Sequence, residues 1–253
     1  MARSRNSLTT LPPPYLKRVW LDPEIPADWA SYPFTLPFLR EFSLTFEHPI
    51  TIVVGENGAG KSTLLEAIAG LVGFDEAGGA KGYRPLDHSR ALESSGTTLA
   101  NSLRASWLPK VTTGWFFKAE SFFSVARYLD EAAQDAGGPS PRFLSQSHGE
   151  GFLDFFEGRC DRQGVYIFDE PESALSPSKQ LDFLKILRRM ERSRRAQVLI
   201  ATHSPLLMAY PGATLLQMTP YGLQPTTLEA TEHFRLLREF FVAPGIFVDA
   251  ILE

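Results

Sequence analysis

Cysteine is almost absent from this chain, because Cys160 is the only thiol among 253 residues. A single cysteine excludes an internal disulfide and a metal cluster built on cysteine, and it fits a reducing compartment. No stretch approaches the roughly 18 to 20 consecutive apolar residues that a membrane-spanning helix needs. The first residues include two arginines, but the apolar segment that would follow them in a secretory signal is missing. We therefore expect a cytoplasmic protein without membrane insertion.

The chain also lacks an excess of positive charge. It carries 25 Lys and Arg against 29 Asp and Glu, for a formal net charge of −4. A dedicated nucleic-acid binder has a basic surplus, so we do not expect nucleic acid as a partner. The arginines near the end of a predicted helix at 177–193 are explained by a solvated face that complements the helix dipole. With 43% hydrophobic residues, the chain can bury the core of an α/β domain.

Hydrophobic periodicity predicts strands that alternate with helices in the second half of the chain, without internal repeats or coiled-coil heptads. The predicted strands cover 16–21, 42–46, 50–54, 164–169, 197–202, 213–218 and 222–227, with a strand pair around 112–114. One predicted helix follows residues 55–63 and ends at Gly73. The other predicted helices cover 120–135, 148–158, 177–193 and 231–241. Residues 73–100 are predicted to form a partly mobile excursion. This alternation indicates a parallel sheet covered on both faces.

A glycine-rich segment follows the buried strand at 50–54. It consists of Gly55, Glu56, Asn57, Gly58, Ala59, Gly60, Lys61, Ser62 and Thr63. The glycines let the backbone curl so that its N–H groups point at phosphate oxygens, while Lys61 can reach the β and γ phosphates and Ser62 can place its hydroxyl on Mg²⁺. A helix that starts here adds the positive end of its dipole. The segment predicts a P-loop with ATP and Mg²⁺ as ligands.

The segment at 165–170 is an apolar strand that ends in two carboxylates. Asp169 would lie at the strand tip beside the P-loop, where it can hold the Mg²⁺ shell. Glu170 would then polarise the attacking water. Such a strand end alone is a common surface feature, but its combination with a P-loop predicts ATP hydrolysis.

Residues 169–177, Asp-Glu-Pro-Glu-Ser-Ala-Leu-Ser-Pro, resemble the Walker B segment and D-loop of the ABC-type ATPases. Residues 202–205, Thr-His-Ser-Pro, resemble the switch-histidine segment of the same family. In that family the histidine contacts the γ-phosphate, so the resemblance implies this role for His203. It also implies the fold class, an α/β P-loop NTPase of ABC-ATPase type. Such a fold has a mainly parallel central sheet with helices on both faces, an antiparallel N-terminal β part and a small helical insertion.

Residues 147–150, Ser-His-Gly-Glu, are similar to the ABC signature. Ser147 and Glu150 also match a helix capping box, which needs no ligand. The two interpretations are compatible, because a capped helix start with a glycine at Gly149 can closely approach a phosphate. In the family that γ-phosphate belongs to a second subunit, so the resemblance implies a head-to-tail homodimer when ATP is bound. His148 and Glu150 depart from the transporter pattern and resemble non-transporter, ABC-like ATPases labelled AAA.

The Q-loop glutamine of the family is missing from its expected place between the P-loop and the signature. Glu120 occupies the corresponding position and is the candidate for a role near Mg²⁺ and water. The alternative is that Glu120 is a first-turn carboxylate favoured by the dipole of the helix at 120–135. Phe34, Phe42 and Phe46 are candidates for stacking on adenine, with core packing as the default for each.

The resemblance favours a single ABC-type ATPase domain over 1–253. We expect its nucleotide-binding core at 15–72 and 160–253, and an insertion with the helical signature region at about 73–159. The predicted function is that of a soluble ATPase that hydrolyses MgATP to ADP and phosphate in an ATP-sandwiched homodimer. Turnover would drive a conformational output, with room for an unknown protein partner.

Two alternatives stay open, namely the ATP-binding subunit of an ABC transporter and a nucleotide-gated, nucleic-acid-associated ATPase. The first shares the fold, but the signature and the missing Q-loop glutamine disfavour it. The second is constrained by length, because Ser147 follows Lys61 by only 86 positions, which leaves no room for long coiled-coil arms. A P-loop small-molecule kinase would leave Ser147 and His203 without a purpose.

Overall fold

The structure is a computed structural model that describes residues 9–81, 95–119 and 148–252, with the backbone alone at 148–150. Its strands are β1 (Leu16–Leu21), β2 (Ser43–Thr45), β3 (Ile50–Val54), β4 (Leu103–Trp107), β5 (Gly114–Lys118), β6 (Gly164–Asp169), β7 (Ala196–Ala201), β8 (Thr214–Thr219) and β9 (Gly222–Pro225). Its helices are α1 (Lys61–Val72), α2 (Ser95–Ser102), α3 (His148–Glu157), α4 (Pro177–Ser193), α5 (Pro205–Met208), α6 (Glu232–Val242) and α7 (Pro244–Leu252). Short 3₁₀ turns cover Pro37–Leu39, Pro171–Ala174 and Leu228–Ala230.

The strands form a six-stranded sheet in the order β5-β6-β7-β3-β8-β9 and a three-stranded sheet in the order β2-β1-β4. The larger sheet is parallel from β5 to β8, and only β9 runs antiparallel, as a hairpin with β8. The smaller sheet is antiparallel throughout. The predicted fold class, with a mainly parallel central sheet and an antiparallel N-terminal β part, is therefore confirmed.

Side chains along the central strands alternate between two buried cores. Val53 of β3 faces the core that α1 and the small sheet cover, whereas its neighbours Ile52 and Val54 face the core that α3 and α4 cover. The same alternation holds in β6. A strand buried on both faces needs apolar residues at consecutive positions, which is why these segments are unbroken apolar runs. The helices thus lie on both faces of the sheet.

The expected strand pair around 112–114 is wrong. Two strands are present there, but β4 pairs with β1 in the small sheet and β5 pairs with β6 in the central sheet. Gly114 explains the crossing, because a Cβ at this residue would lie 1.8 Å from the carbonyl oxygen of Val165. Only glycine lets the chain approach β6 so closely. The region expected as an insertion therefore supplies one strand to each sheet.

Three helices were not predicted, namely α2, the short α5 and α7. Helix α2 buries Leu99 in the core that α1 covers and otherwise packs on α1 through small residues, so it has no continuous apolar stripe. A Cβ at Gly96 would lie 2.5 Å from Glu66, and one at Gly70 would lie 3.1 Å from Ala100. Helix α7 is apolar on most of its faces, so it shows no helical period. The predicted helix at 120–135 lies outside the described residues.

The other predicted elements agree with the structure to within a few residues at each end, and α4 agrees at both ends. Ser176 caps α4 by accepting from the backbone N–H of Lys179, and Pro177 occupies its first turn. Gly73, with φ of 98°, ends α1 in the left-handed conformation. Such local signals fix helix ends because they satisfy backbone groups that the helix leaves unpaired. Within the described ranges, no helix is long and apolar enough to cross a bilayer.

Candidate active site

The carboxyl ends of three neighbouring parallel strands meet at one edge of the central sheet. Val53 of β3 pairs with Ala201 of β7, and Ala201 pairs with Asp169 of β6. From this line β3 enters the P-loop, β6 ends in the two carboxylates, and β7 is followed by His203. The register therefore brings three motifs that are distant in sequence to one place, the edge at which open α/β sheets bind ligands.

The P-loop depends on backbone conformations that favour glycine. Gly58 has a φ of 77° and Gly60 a φ of 96°, both in the left-handed region. A Cβ at Gly60 would also lie 2.8 Å from Leu36 and 2.9 Å from Phe38. The loop before β2 thus packs directly against the P-loop. Helix α1 begins at the next residue, Lys61, so its free N–H groups face the concave side of the loop.

Lys61 closes the P-loop with its side chain. Its Nζ donates to the carbonyl oxygens of Gly55 and Glu56, at 2.9 and 3.0 Å. The residue is only 4% exposed, and this burial lowers the pKa of its ammonium, while Glu170 and Asp169 act in the opposite direction. Phosphate oxygens bind an ammonium more strongly than neutral carbonyls do. The lysine is therefore held where a bound phosphate could take over its contacts.

Ser62 and Asp169 meet at the base of the loop. The hydroxyl of Ser62 donates to Oδ1 of Asp169 over 3.2 Å, across 107 residues of sequence. Asp169 is 4% exposed, and burial raises its pKa to about 7, although Lys118 and Ser62 act in the opposite direction. A carboxylate this far from water is stabilised by a cation. Within the described residues no three His, Cys, Asp or Glu side chains cluster as a metal site.

The two adjacent carboxylates at the end of β6 point to different partners. Glu170 has a φ of 47°, a conformation that side chains other than glycine rarely adopt. It turns the chain sharply, so that Asp169 reaches Ser62 while Oε1 of Glu170 lies 3.5 Å from Nε2 of His203. The Glu170 side chain is 38% exposed, so water can reach it. Left-handed backbone at such a residue is a strain that functional sites retain.

The sequence analysis assigned no role to Glu172, yet its carboxylate contacts the backbone of His203. Oε1 of Glu172 accepts from the backbone N–H of His203. Burial raises the pKa of Glu172, while the hydrogen bonds from His203 and Thr202 lower it. The signal was present in the sequence as the second glutamate of Asp-Glu-Pro-Glu, but its partner lies 31 residues away and no local rule connects them.

His203 is half-buried, with its ring between two other side chains. Nδ1 lies 2.9 Å from Nε2 of His233 in α6, and Nε2 faces Glu170. Burial lowers the pKa of His203, and the charge of Lys61 lowers it further. Both effects favour the neutral form of the ring. His233 had no role in the sequence analysis, because a histidine near a helix start carries no pattern of its own.

Tyr32 is a second contact to the P-loop that sequence reasoning missed. Its phenolic oxygen shares a hydrogen bond with the hydroxyl of Thr63, and its ring is about half exposed. Phe34, Phe42 and Phe46 are instead 7%, 4% and 4% exposed and belong to the core that α1 covers. These three rings therefore pack in the core, which was the default prediction for each of them.

Two predicted site residues, Ser147 and Glu120, lie outside the described residues. Gly149 lies in the first turn of α3, which begins at His148. This helix is anchored by aromatic packing. Phe156 of α3 contacts Phe117 of β5, Phe168 of β6 and Phe183 of α4, with ring centroids 4.3 to 5.6 Å apart. Helix α3 thus packs against β6, the strand that ends in the two carboxylates, and against its neighbour β5.

Comparisons with known proteins agree with this geometry. A family model described as "AAA domain, putative AbiEii toxin, Type IV TA system" matches residues 158–209, which include both carboxylates and His203. A second model, described as "AAA domain", matches residues 29–103, which include the P-loop. The two matches together contain the segments that the register of the sheet brings to one edge.

Several curated proteins are similar in sequence. The thiamine import ATP-binding protein ThiQ of Photobacterium profundum is 26% identical over 178 residues, which cover 62% of this chain and 68% of ThiQ. The zinc import ATP-binding protein ZnuC of Haemophilus ducreyi is 26% identical over 65% of this chain and 61% of its own length. The chromosome partition protein Smc of Halothermothrix orenii is 40% identical over 50 residues, only 4% of that protein.

Among solved structures, "An inward-facing conformation of a putative metal-chelate type ABC transporter" has a chain that superimposes with a TM-score of 0.50. It is 15% identical, and the match covers 87% of this chain and 88% of that one. A likeness at this identity shows only that the two chains share a fold.

Proposed function

Because this chain is an ABC-like P-loop ATPase, we propose that it binds MgATP at the edge of the central sheet and hydrolyses it between two copies of itself. One observation carries the assignment of the site. The hydroxyl of Ser62 lies 3.2 Å from the buried carboxylate of Asp169, beneath a loop whose lysine is already held by backbone carbonyls. A P-loop hydroxyl and a strand-end aspartate are the protein oxygens that such ATPases direct at a nucleotide-bound cation.

The chain's own groups fit the triphosphate. The N–H groups at the start of α1 and in the P-loop would surround the β-phosphate, and Lys61 would exchange two carbonyl contacts for β and γ oxygens. Thr63, on the first turn of α1, would lie toward the nucleoside end, and Tyr32 would lie beside it because the two share a hydrogen bond. Glu56, Asn57 and Ala59 contribute backbone to the same loop.

The donors at the base of the loop fit Mg²⁺. Ser62 and Asp169 offer oxygen, the ligand that this hard cation prefers, and phosphates and water would complete its shell. The raised pKa of Asp169 supports this assignment, since a buried carboxylate without a cation is unfavourable. When bound, the cation would neutralise charge on the phosphates. Glu120 keeps its proposed place near the metal and water, as a substitute for the Q-loop glutamine.

Hydrolysis needs a water in line with the β–γ bond. We assign Glu170 to orient that water, because its carboxylate is solvent-accessible and adjacent to Asp169. The water oxygen bonds to the γ-phosphorus, the bond to the bridging oxygen breaks, and ADP leaves while the water proton passes to Glu170. Lys61 and His203 would stabilise the charge that spreads over the γ-phosphoryl oxygens.

The second half of each site would come from the partner copy. Ser147 and Gly149 match the signature of ABC-type ATPases, and α3, whose first turn contains Gly149, packs against β5 and β6. Two such helix starts related by a twofold axis would each meet the other copy's γ-phosphate. We place this ATP-dependent dimer in the cytoplasm, where MgATP is available.

The ATP-binding subunit of a transporter is the second candidate, favoured by the similarity to ThiQ over 62% of the chain. The two candidates differ in what turnover drives. A transporter subunit would copurify with a membrane-spanning partner, whereas the homodimer would act alone or on another protein. Purification of the Glu170→Gln protein from native cells in MgATP would separate them. Retained ATP binding with lost hydrolysis in that variant tests the proposed site itself.

A further inference from the structure

His203 contacts a second histidine, His233, through the ring nitrogen that points away from Glu170. Nδ1 of His203 lies 2.9 Å from Nε2 of His233, with the ring centroids 5.0 Å apart and the planes inclined by 57°. That geometry is a hydrogen bond between ring nitrogens rather than a ring stack, because the nitrogens are much closer than the centroids. We infer that His233 is a positioning residue that holds His203 in the tautomer with its proton on Nε2.

The position of His233 is fixed by the start of α6. Thr231 is 1% exposed and caps this helix, since its hydroxyl oxygen accepts from the N–H of Phe234. The same hydroxyl donates to the carbonyl of Leu228 over 2.7 Å, and Leu228 packs against the core that α3 and α4 cover. The second residue of α6 is thereby held against the end of β7. The buried helix cap at Thr231 therefore fixes the position from which His233 contacts His203.

The chemistry follows from the two nitrogens of a neutral imidazole, of which one donates and the other accepts. If His233 donates from Nε2, Nδ1 of His203 must accept, and the proton of His203 resides on Nε2. This atom is buried, makes no hydrogen bond within the described residues and faces Glu170 at 3.5 Å. An N–H there can donate to a carboxylate or to a phosphate oxygen, whereas a bare lone pair would repel both.

The backbone of His203 is held independently, because its N–H donates to Glu172. The main chain and the ring of the switch histidine therefore have separate supports, one from the segment after β6 and one from α6. Loss of His233 should leave His203 in place but let its tautomer change. A change of tautomer without displacement of His203 would show that His233 positions the proton of His203. A merely structural residue would displace His203 when it is lost.

The inference rests on the proposed function, since it assigns His203 to the γ-phosphoryl group. His233→Phe keeps a ring of similar size and removes the donor, and we expect it to lower kcat by about tenfold with the Kd for MgATP changed less than about twofold. His233→Gln places an amide N–H at a similar reach and should recover most of kcat. His48→Phe is the matched control, because His48 is exposed and distant in sequence from both His203 and His233. It should have the kcat and the MgATP affinity of the wild type.

The deciding measurement is long-range ¹H–¹⁵N NMR of the histidine rings in the nucleotide-free protein, which reports tautomers without any turnover. We expect the Nε2–H pattern for His203 in the wild type and in His233→Gln, and its loss in His233→Phe. Retention of that pattern in His233→Phe, or equal kcat values for the Phe and Gln variants, would overturn the inference. A hydrolysis rate in Glu170→Gln equal to the wild type would instead defeat the role that the proposed function gives to Glu170, and would leave the NMR result intact.

Discussion

The backbone N–H of His203 donates to a carboxylate oxygen of Glu172, which ties the end of β7 to the turn that follows β6. This contact links the segment that contains His203 to the segment that contains Glu170. Glu170 lies between the two partners, because it precedes Glu172 by two residues and faces the ring of His203. The relative position of both catalytic candidates therefore depends on Glu172.

Replacement of Glu172 tests this dependence. Glu172→Met fills the space but leaves the N–H of His203 without an acceptor, so we expect a loss of about 1 to 3 kcal/mol in the free energy of unfolding. Glu172→Gln keeps a carbonyl acceptor and should lose much less. Urea unfolding of the two variants measures the difference, and equal stabilities would show that the hydrogen bond contributes nothing.

Glu170→Gln should retain MgATP binding and lose nearly all turnover, because a neutral amide cannot take a proton from water. Calorimetry gives the affinity and steady-state phosphate release gives the rate. Glu47→Gln, on an exposed residue before β3, is the matched control and should be fully active. Hydrolysis by Glu170→Gln at the wild-type rate would transfer the role to another carboxylate, with Glu120 as the first candidate.

The buried carboxylate of Asp169 predicts a pH dependence in the nucleotide-free, metal-free protein. Its pKa is raised from 3.8 to about 7 on folding, so the folded state binds the proton more tightly than the unfolded chain. Stability from this group is present below the unfolded value and decreases as pH rises through the folded one. Asp169→Asn removes the buried charge and should therefore raise the melting temperature at pH 8.

That gain should shrink as pH falls toward 5, since Asp169 is then protonated in the wild type. Asp161→Asn changes an exposed carboxylate and should show no such trend. Melting curves recorded in a chelator across this range provide the measurement. A constant difference between Asp169→Asn and the wild type at every pH would show that Asp169 does not titrate near neutrality.

The parts of the site that could be predicted from sequence are those whose geometry is local. Lys61, Ser62 and Asp169 lie in contiguous motifs, where a loop or a strand end dictates what each side chain can reach. Glu172 and His233 were missed because each meets His203 across about 30 residues, and only the register of β6 and β7 and the capped start of α6 create those contacts.

The same distinction holds for the fold. The central strands are unbroken apolar runs, and their burial on both faces makes them visible in sequence. The sequence did not predict that β4 and β5 belong to different sheets, because apolar character alone does not determine which sheet a strand joins. It depends on Gly114, where the absence of a Cβ allows β5 to approach Val165. Helix α2 was hidden for a similar reason, since Leu99 is its one large apolar residue and it otherwise packs through small residues such as Gly96.

Complementation tests the composite site through activity. Lys61→Ala should weaken MgATP binding tenfold or more, at least about 1.4 kcal/mol, because the P-loop loses its ammonium. Ser147→Arg should bind ATP normally but fail to hydrolyse it. A mixture of the two variants should recover activity, since one site of the mixed dimer combines an intact Lys61 with an intact Ser147. No recovery in the mixture would mean that Ser147 serves only as a helix cap.

The association of two copies is the central claim, and light scattering of the Glu170→Gln protein in MgATP tests it most directly. This variant should hold ATP unhydrolysed and so accumulate the closed state. We expect a particle of twice 28.2 kDa with MgATP and a smaller mean mass without nucleotide or after the further change Ser147→Arg. A strictly monomeric species at micromolar protein with saturating MgATP would contradict the composite active site.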